Sequence, residues 1–573
     1  MRYPWRMGFL CAHRSWAGVL CALLLSLPAL SAARKSTSPP DSTLLPASFR
    51  ETIERGVANG AYQSVAVGLI DGKQRGTFYF GHRDGPGSKP ADDESLFEIG
   101  AVGEVFTGLL LAQAALEGKL RLSDPIEKFL PAPFPFSDAR VGKITLLQLA
   151  TQHSALPARP ANLFPADLND PYAGYAAEDL LALLAFHRSS AKVDDAAYGY
   201  SILNAGLLGH LLGRIYQMPL GEALAAKIFS PLGLKGLTFA DQTELLPGHA
   251  RGTRATHRHY GALMGAAGLR AGLPDLLGFL QLNLTPNDSP LRAALLLARR
   301  PDASGPADQL GFGWNVREKI DGTATWPLVW RASQTAGFAS FIGFRTDKQK
   351  AIVVLGNTAE DVAALGIAWL GDTSPPEAAH GSAGGASNRL EEYPGLYRVA
   401  SGVDAIVRAD ERALSLQMPG ALPTRLQGAD KDVFVADDEE FGVTFIRDID
   451  EIVGLVLHGG GENVSAKRLS ARAPRLARVP IGIDAAARSA LLGDYRLDDA
   501  TWLRIGESAQ GLNLQWTMAE RRRIFAYAPG RFTDADGVIE LQIKRAADGR
   551  VAGIDLDLAG TRREAVPLRK YVH

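Results

Sequence analysis

Cysteine is all but missing from this chain. Of 573 residues only Cys11 and Cys21 carry a thiol, and both lie near the start, so a fold of this size rests on buried apolar surface rather than on disulfides. An excess of charge is missing as well. Lys and Arg number 61 against 62 Asp and Glu, for a formal net charge of −1, which leaves no electrostatic footprint for nucleic acid or for an anionic membrane surface. The apolar run Trp16–Leu30 falls short of the roughly 20 residues that a membrane-spanning helix needs. No metal-binding or cofactor-binding pattern stands out, and none is expected.

What the N-terminus does have is the order of an export signal. Arg2, Arg6 and Arg14 precede the apolar run, and Ser31-Ala32-Ala33 supplies small residues for cleavage. A signal peptide is expected over 1–33, the alternative being an uncleaved anchor. Cleavage would remove both cysteines and give a periplasmic or secreted chain without a transmembrane anchor. Composition is otherwise that of a globular protein, 46% hydrophobic and 21% charged, and the length calls for several domains.

The chain is organised around Phe97-Glu98-Ile99-Gly100-Ala101-Val102-Gly103-Glu104, which runs into the apolar stretch Val105–Leu116. That stretch reads as a buried helix, with Asp124-Pro125 expected to stop it. Further on come Ile144–Pro157 with His153 inside it, and Tyr200-Ser201-Ile202 ahead of a second apolar helix. Met264–Leu280 follows, then Gly311-Phe312-Gly313-Trp314 as a strand, an Asp321-Gly322 turn, and Trp330-Arg331-Ala332-Ser333 ahead of Gly337-Phe338. Near the start, Ser64–Ile70 and Thr77–Phe80 flank Asp71-Gly72 as a hairpin.

In this order the segments resemble the serine β-lactamase and penicillin-binding protein superfamily over about Leu45 to Leu370. The resemblance implies an α+β domain, an antiparallel sheet flanked by helices plus an all-α subdomain. It also implies a nucleophile helix opening Ser-x-x-Lys, where positions i and i+3 share a face so that the lysine can take the serine's proton. Here those positions are Ala101 and Glu104. The Tyr-Ser-Asn element reads Tyr200-Ser201-Ile202, and the Lys/His-Thr-Gly element reads Arg331-Ala332-Ser333. Alanine has no nucleophilic atom and isoleucine no hydrogen bond to offer a polar substrate. Tyr200 is the one unaltered member. His153 reads as structural, Ser201 as a spare hydroxyl with no adjacent base to activate it, and Asn204 as facing elsewhere on the helix. Ala271 replaces a usual serine while Asp275 is kept.

Two replacements are complementary, since a guanidinium suits a carboxylate. The resemblance sets the two motifs face to face, so Glu104 and Arg331 are expected to pair in the former active site. A ligand-binding cleft would then be lined by Glu104, Tyr200, Arg331 and Ser333.

Beyond a Gly/Ser/Pro-rich linker at 372–388, short alternating strands begin. Tyr393-Pro-Gly-Leu-Tyr397 opens one unit and Leu492-Gly-Asp-Tyr495 a second, offset by roughly a hundred residues, an internal duplication. Two small antiparallel β-barrel domains are expected, as in the D-aminopeptidase that the arrangement resembles. Arg521-Arg522-Arg523 reads as a solvated run and His458 with Gly459-Gly460-Gly461 as a loop. The expected organisation is signal 1–33, linker 34–44, the superfamily domain 45–371, linker 372–388, first barrel 389–471, linker 472–484 and second barrel 485–573. The expected function is an exported protein that has lost acyl-serine catalysis and binds a peptide, a cell-wall fragment or another small-molecule or protein partner. The alternative is a D-amino peptidase, β-lactamase or esterase with a non-standard nucleophile.

Overall fold

The computed structural model describes residues 44–188, 198–250, 253–300, 309–321, 324–375, 389–399, 403–410, 413–418, 421–436, 441–448, 451–459, 462–471, 478–509, 511–519, 521–534, 537–558 and 561–568. The expected signal segment and linker residues 34–43, 376–388 and 472–477 lie outside them, as do Gly322, Gly460 and Gly461.

The first domain is built on a seven-stranded antiparallel sheet. Its strands are β1 (Ser64–Asp71), β2 (Gln74–Gly81), β3 (Gln309–Leu310), β4 (Asn315–Asp321), β5 (Ala324–Gln334), β6 (Ala339–Arg345) and β7 (Lys350–Gly356), in the order β2-β1-β7-β6-β5-β4-β3. The period-2 alternation of β1 sends Val65, Val67 and Leu69 to one face and Ala66 and Ile70 to the other, and both faces are buried. The first face is covered by Phe49 and Ile53 of helix α1 (Ala47–Ala58) and by Leu365 and Trp369 of a late helix, Ala363–Leu370. The opposite face packs against helix Leu273–Leu284 and the helical subdomain. Gly68 admits that helix closely, since a Cβ there would sit 3.0 Å from a methyl of Leu273.

Behind the sheet lies α2 (Gly103–Leu116), apolar on all sides and buried for nearly its whole length, as a central core helix should be. It ends at Leu116, well before Asp124-Pro125, because Gly118 takes a left-handed φ of +71° that closes the last turn. Helices α3 (Ala177–Phe186) and α4 (Ile202–Tyr216) belong to the same core. Ser201 caps α4, its hydroxyl accepting the Leu203 amide at 3.2 Å. Gly311–Trp314 is a tight bend between β3 and β4 rather than a strand, with Gly313 at φ +78°.

The two C-terminal units are closed eight-stranded antiparallel barrels, with strands from Gly395–Val399 to Glu462–Ser470 and from Gly493–Arg496 to Thr561–Pro567. The expected fold class, an α+β domain followed by two barrels, is the one observed. His458 lies on a strand, where its Nε2 meets Thr444 Oγ1 at 2.8 Å, and not in a loop. Of the arginine run, Arg521 and Arg523 are exposed, but Arg522 is half-buried over the Trp516 ring and pairs with buried Asp534 at 3.1 Å.

Candidate functional site

The site forms where β5 meets the start of α2. After the short strand Leu96–Glu98, Gly100 turns the chain at φ +49° into a single 3₁₀ turn that feeds the helix. Side chains two apart on a strand share a face, and Arg331 and Ser333 both address that turn. The Ala101 amide donates to Ser333 Oγ at 2.8 Å, and Arg331 Nε donates to the Ala101 carbonyl at 3.2 Å. A Cβ on Gly100 would collide with Ser333 Oγ at 2.2 Å, so glycine is required there.

One turn further, Glu104 is nearly sealed from solvent at 4% exposure. Its carboxylate accepts from Arg331 Nη2 at 2.5 Å, from the Tyr200 hydroxyl at 2.9 Å and, more loosely, from Gln152 Nε2 at 3.5 Å. The Arg331 guanidinium also lies against the Tyr200 ring, 5.6 Å from its centroid. Gly313 presses on the backbone of Glu104 from behind, where a Cβ would come within 2.6 Å. Gln152, at a left-handed φ of +61°, extends the network. Its Oε1 accepts from the Ser201 amide at 3.0 Å and from Asn204 Nδ2 at 2.5 Å, and Asn204 Oδ1 accepts the Ser154 hydroxyl.

The electrostatics follow from burial around one ion pair. Burial pushes the Glu104 carboxyl above the usual carboxylate range, against the pull of Arg331, Tyr200 and Gln152. Tyr200 is 44% exposed, but its hydroxyl end lies on the sealed Glu104 carboxylate, where burial first and then the charge of Glu104 push the phenol well above 10, so it is a held donor and no base. Burial works against the charge on Arg331, but Glu104 outweighs it. Of the residues expected at the cleft, Ala101, Glu104, Tyr200, Arg331 and Ser333 come together. Ile202 is buried in the first turn of α4, and Ala332 turns to the opposite face of the sheet. Asn204 does not stand in for the missing asparagine, but it is the rear of the same polar network. His153 meets Thr151 Oγ1 at 3.3 Å, and Asp275 accepts the Lys235 and Gly236 amides.

Neither Gln152 nor the bond from the Ala101 amide to Ser333 is marked by a sequence motif. A buried acid at 104 implies donors, yet Gln152 reaches it only through a left-handed backbone that no pattern announces. Among the described residues, no group of three His, Cys, Asp or Glu side chains could hold a metal ion.

A family model described as Beta-lactamase matches residues 49–371, more than half of the chain. The chain belongs to the beta-lactamase family. Within it, the chain is 27% identical over 333 residues to a beta-lactamase of Escherichia coli (strain K12), covering 51% of this chain and 83% of that one. It is 27% identical over 358 residues to the D-alanyl-D-alanine-carboxypeptidase/endopeptidase AmpH of the same organism, covering 58% and 88%. A solved beta-lactamase/D-alanine carboxypeptidase from Pseudomonas syringae has the same fold, at 19% identity and a TM-score of 0.50 over 57% of this chain and 99% of that one. The beta-lactamase domain therefore supplies the scaffold, and the barrels lie beyond the matched residues.

Proposed function

We propose that this protein is an exported, non-catalytic member of the beta-lactamase family that uses the remodelled cleft to bind a peptide or cell-wall fragment. One observation carries the reading: the carboxylate of Glu104 is locked between Arg331 and Tyr200 one turn from an alanine methyl. Acyl transfer from a serine needs an activated hydroxyl at that first turn, and Ala101 has none. The nearby hydroxyl of Ser333 accepts from the Ala101 amide, and among the described residues no base touches it. A water activated by Glu104 or Tyr200 is disfavoured by the same geometry. The carboxylate already accepts three donors, and the phenol keeps its proton. The choice of a peptide or cell-wall ligand draws on AmpH, whose name places its activity on D-alanyl-D-alanine peptides.

Covalent labelling of the purified protein with a penicillin and with a fluorophosphonate, read by intact mass, tests the reading. No adduct is expected on the unmodified chain. A stoichiometric adduct would overturn the loss of catalysis and identify the residue that had replaced the serine.

A further inference from the structure

Beside the Glu104 network, one imidazole is bonded to carboxylates from two separate segments. His259 Nδ1 meets Asp170 Oδ2 at 2.6 Å and Nε2 meets Asp241 Oδ2 at 3.0 Å, while its backbone amide donates to Asp170 Oδ1 at 2.8 Å. Ionised carboxylates only accept hydrogen bonds, so both ring nitrogens must carry protons, and the ring is an imidazolium. The surrounding charges are few. Asp241 also pairs with buried Arg270 at 2.7 Å, His257 acts on Asp241, and Arg258 reaches the Leu168 carbonyl at 3.4 Å. Tyr260 stacks on Tyr172 with centroids 5.6 Å apart.

We propose that His259 is a proton-operated latch, which when protonated adds a second fastening, beside that of Arg270, between the segment around Asp241 and the segment His257–Tyr260 and which on losing its proton gives up its own bond to Asp241. The side that opens follows from the bonding. A neutral ring keeps a single N–H, and Asp170 retains the His259 amide as well, so the chelate to Asp170 survives. The bare Nε2 lone pair then faces the Asp241 oxygen and repels it. Asp241 stays tethered by Arg270, whose Nη2 also donates to the Arg258 carbonyl at 3.2 Å.

The latch bears on the cleft through the next residues. His257 Nδ1 and the Arg258 amide both meet Glu98 Oε1, at 3.1 and 2.9 Å, and Thr335 donates to Glu98 Oε2 at 2.9 Å. Glu98 lies three residues before Ala101, and Thr335 two after Ser333. Tyr260 adds to the cost of ionising Tyr200. Asp170 first, with Asp241 and against partial burial, holds the imidazolium above its usual 6.5, so release comes on the alkaline side. The inference stands whether the cleft binds or hydrolyses.

Hydrogen exchange of the full chain at about pH 6 and about pH 8.5, corrected for intrinsic rates, tests it. Peptides covering 239–243 and 257–260 should lose protection about fivefold or more at the higher pH, with peptides of the central sheet unchanged. In His259→Gln, which cannot titrate, and in Asp241→Asn, which has no carboxylate to release, the difference between the two pH values should vanish. Equal protection at both pH values in the unmodified protein, or a difference that persists in His259→Gln, would overturn the latch.

Discussion

The two barrels share a closed eight-stranded form and equivalent internal contacts, yet they stand in different relations to the rest of the molecule. Tyr397 and Tyr495 are equivalent, each buried with its hydroxyl on the carbonyl four residues back, Tyr393 at 2.6 Å and Leu491 at 2.8 Å. Gln417 and Gln515 are equivalent by the same offset, each donating to a carbonyl four residues on. On that alignment Trp502 of the second barrel matches Asp404 of the first. Asp404 pairs with Arg398 of its own barrel at 2.7 and 2.9 Å. Trp502, 2% exposed, joins the core of the beta-lactamase domain and meets Phe186 of α3 edge-on at 6.2 Å. Around it, Thr517 Oγ1 donates to the Ala161 carbonyl, the Met518 amide to Leu163 at 2.9 Å and Gln515 Nε2 to Pro165 at 2.8 Å. Arg504 covers the Phe164 ring at 4.3 Å. One aromatic at a strand position thus makes the difference between a barrel that shares a core and one whose matching position is a surface ion pair.

The sharpest test exchanges the weight of those two positions. Trp502→Ala should destabilise the beta-lactamase domain by about 3–5 kcal/mol, the range for emptying a buried tryptophan site. Asp404→Ala should cost no more than about 1 kcal/mol, since the pair it breaks is half-exposed. Chemical denaturation followed by tryptophan fluorescence measures both. Equal losses would mean that Trp502 contributes nothing beyond its own barrel. Gln515→Leu comes next, at about 1–3 kcal/mol, because it strands the Pro165 carbonyl in a buried contact.

The tyrosine pair tests the equivalence itself. Tyr397→Phe and Tyr495→Phe each remove one buried hydroxyl bond and should cost the same, about 1 kcal/mol. A clear inequality in thermal melts would show that the barrels differ inside as well as at their contacts.

How much of this was legible beforehand depends on the kind of interaction. The first hairpin, the buried α2 and the strands of the barrels follow from period-2 and all-apolar patterns, which are local, whereas the sheet as a whole is what the family resemblance implies. The meeting of Glu104 with Arg331 was legible too, because the two positions belong to motifs that the family scaffold brings face to face. Gln152 was not, since its reach depends on a left-handed backbone. Neither was the docking of Trp502, for a tryptophan on a strand reads equally well as its own barrel's core. The end of α2 at Gly118 was masked by the louder Asp124-Pro125 signal downstream.

The smallest expected effect lies at the same docked surface and depends on pH. His187 follows α3 directly, nearly buried, with Asp499 and Arg496 of the second barrel acting on it. Its Nε2 has no hydrogen-bond partner among the described residues. Burial lowers its pKa from 6.5, so the unfolded chain binds a proton more readily than the folded one. Stability is then complete above about pH 6.5, falls as the pH drops toward the depressed value and levels off below it. At the matching place in the first barrel Arg398 holds the Asp404 carboxyl below the usual carboxylate range and Asp404 holds Arg398 above its own, so neither titrates near neutrality. Thermal melts of the unmodified protein and of His187→Asn from about pH 8 to pH 5 measure the difference. The variant should lose part of the acid dependence, and an identical slope in both would place that dependence elsewhere than the docked barrel.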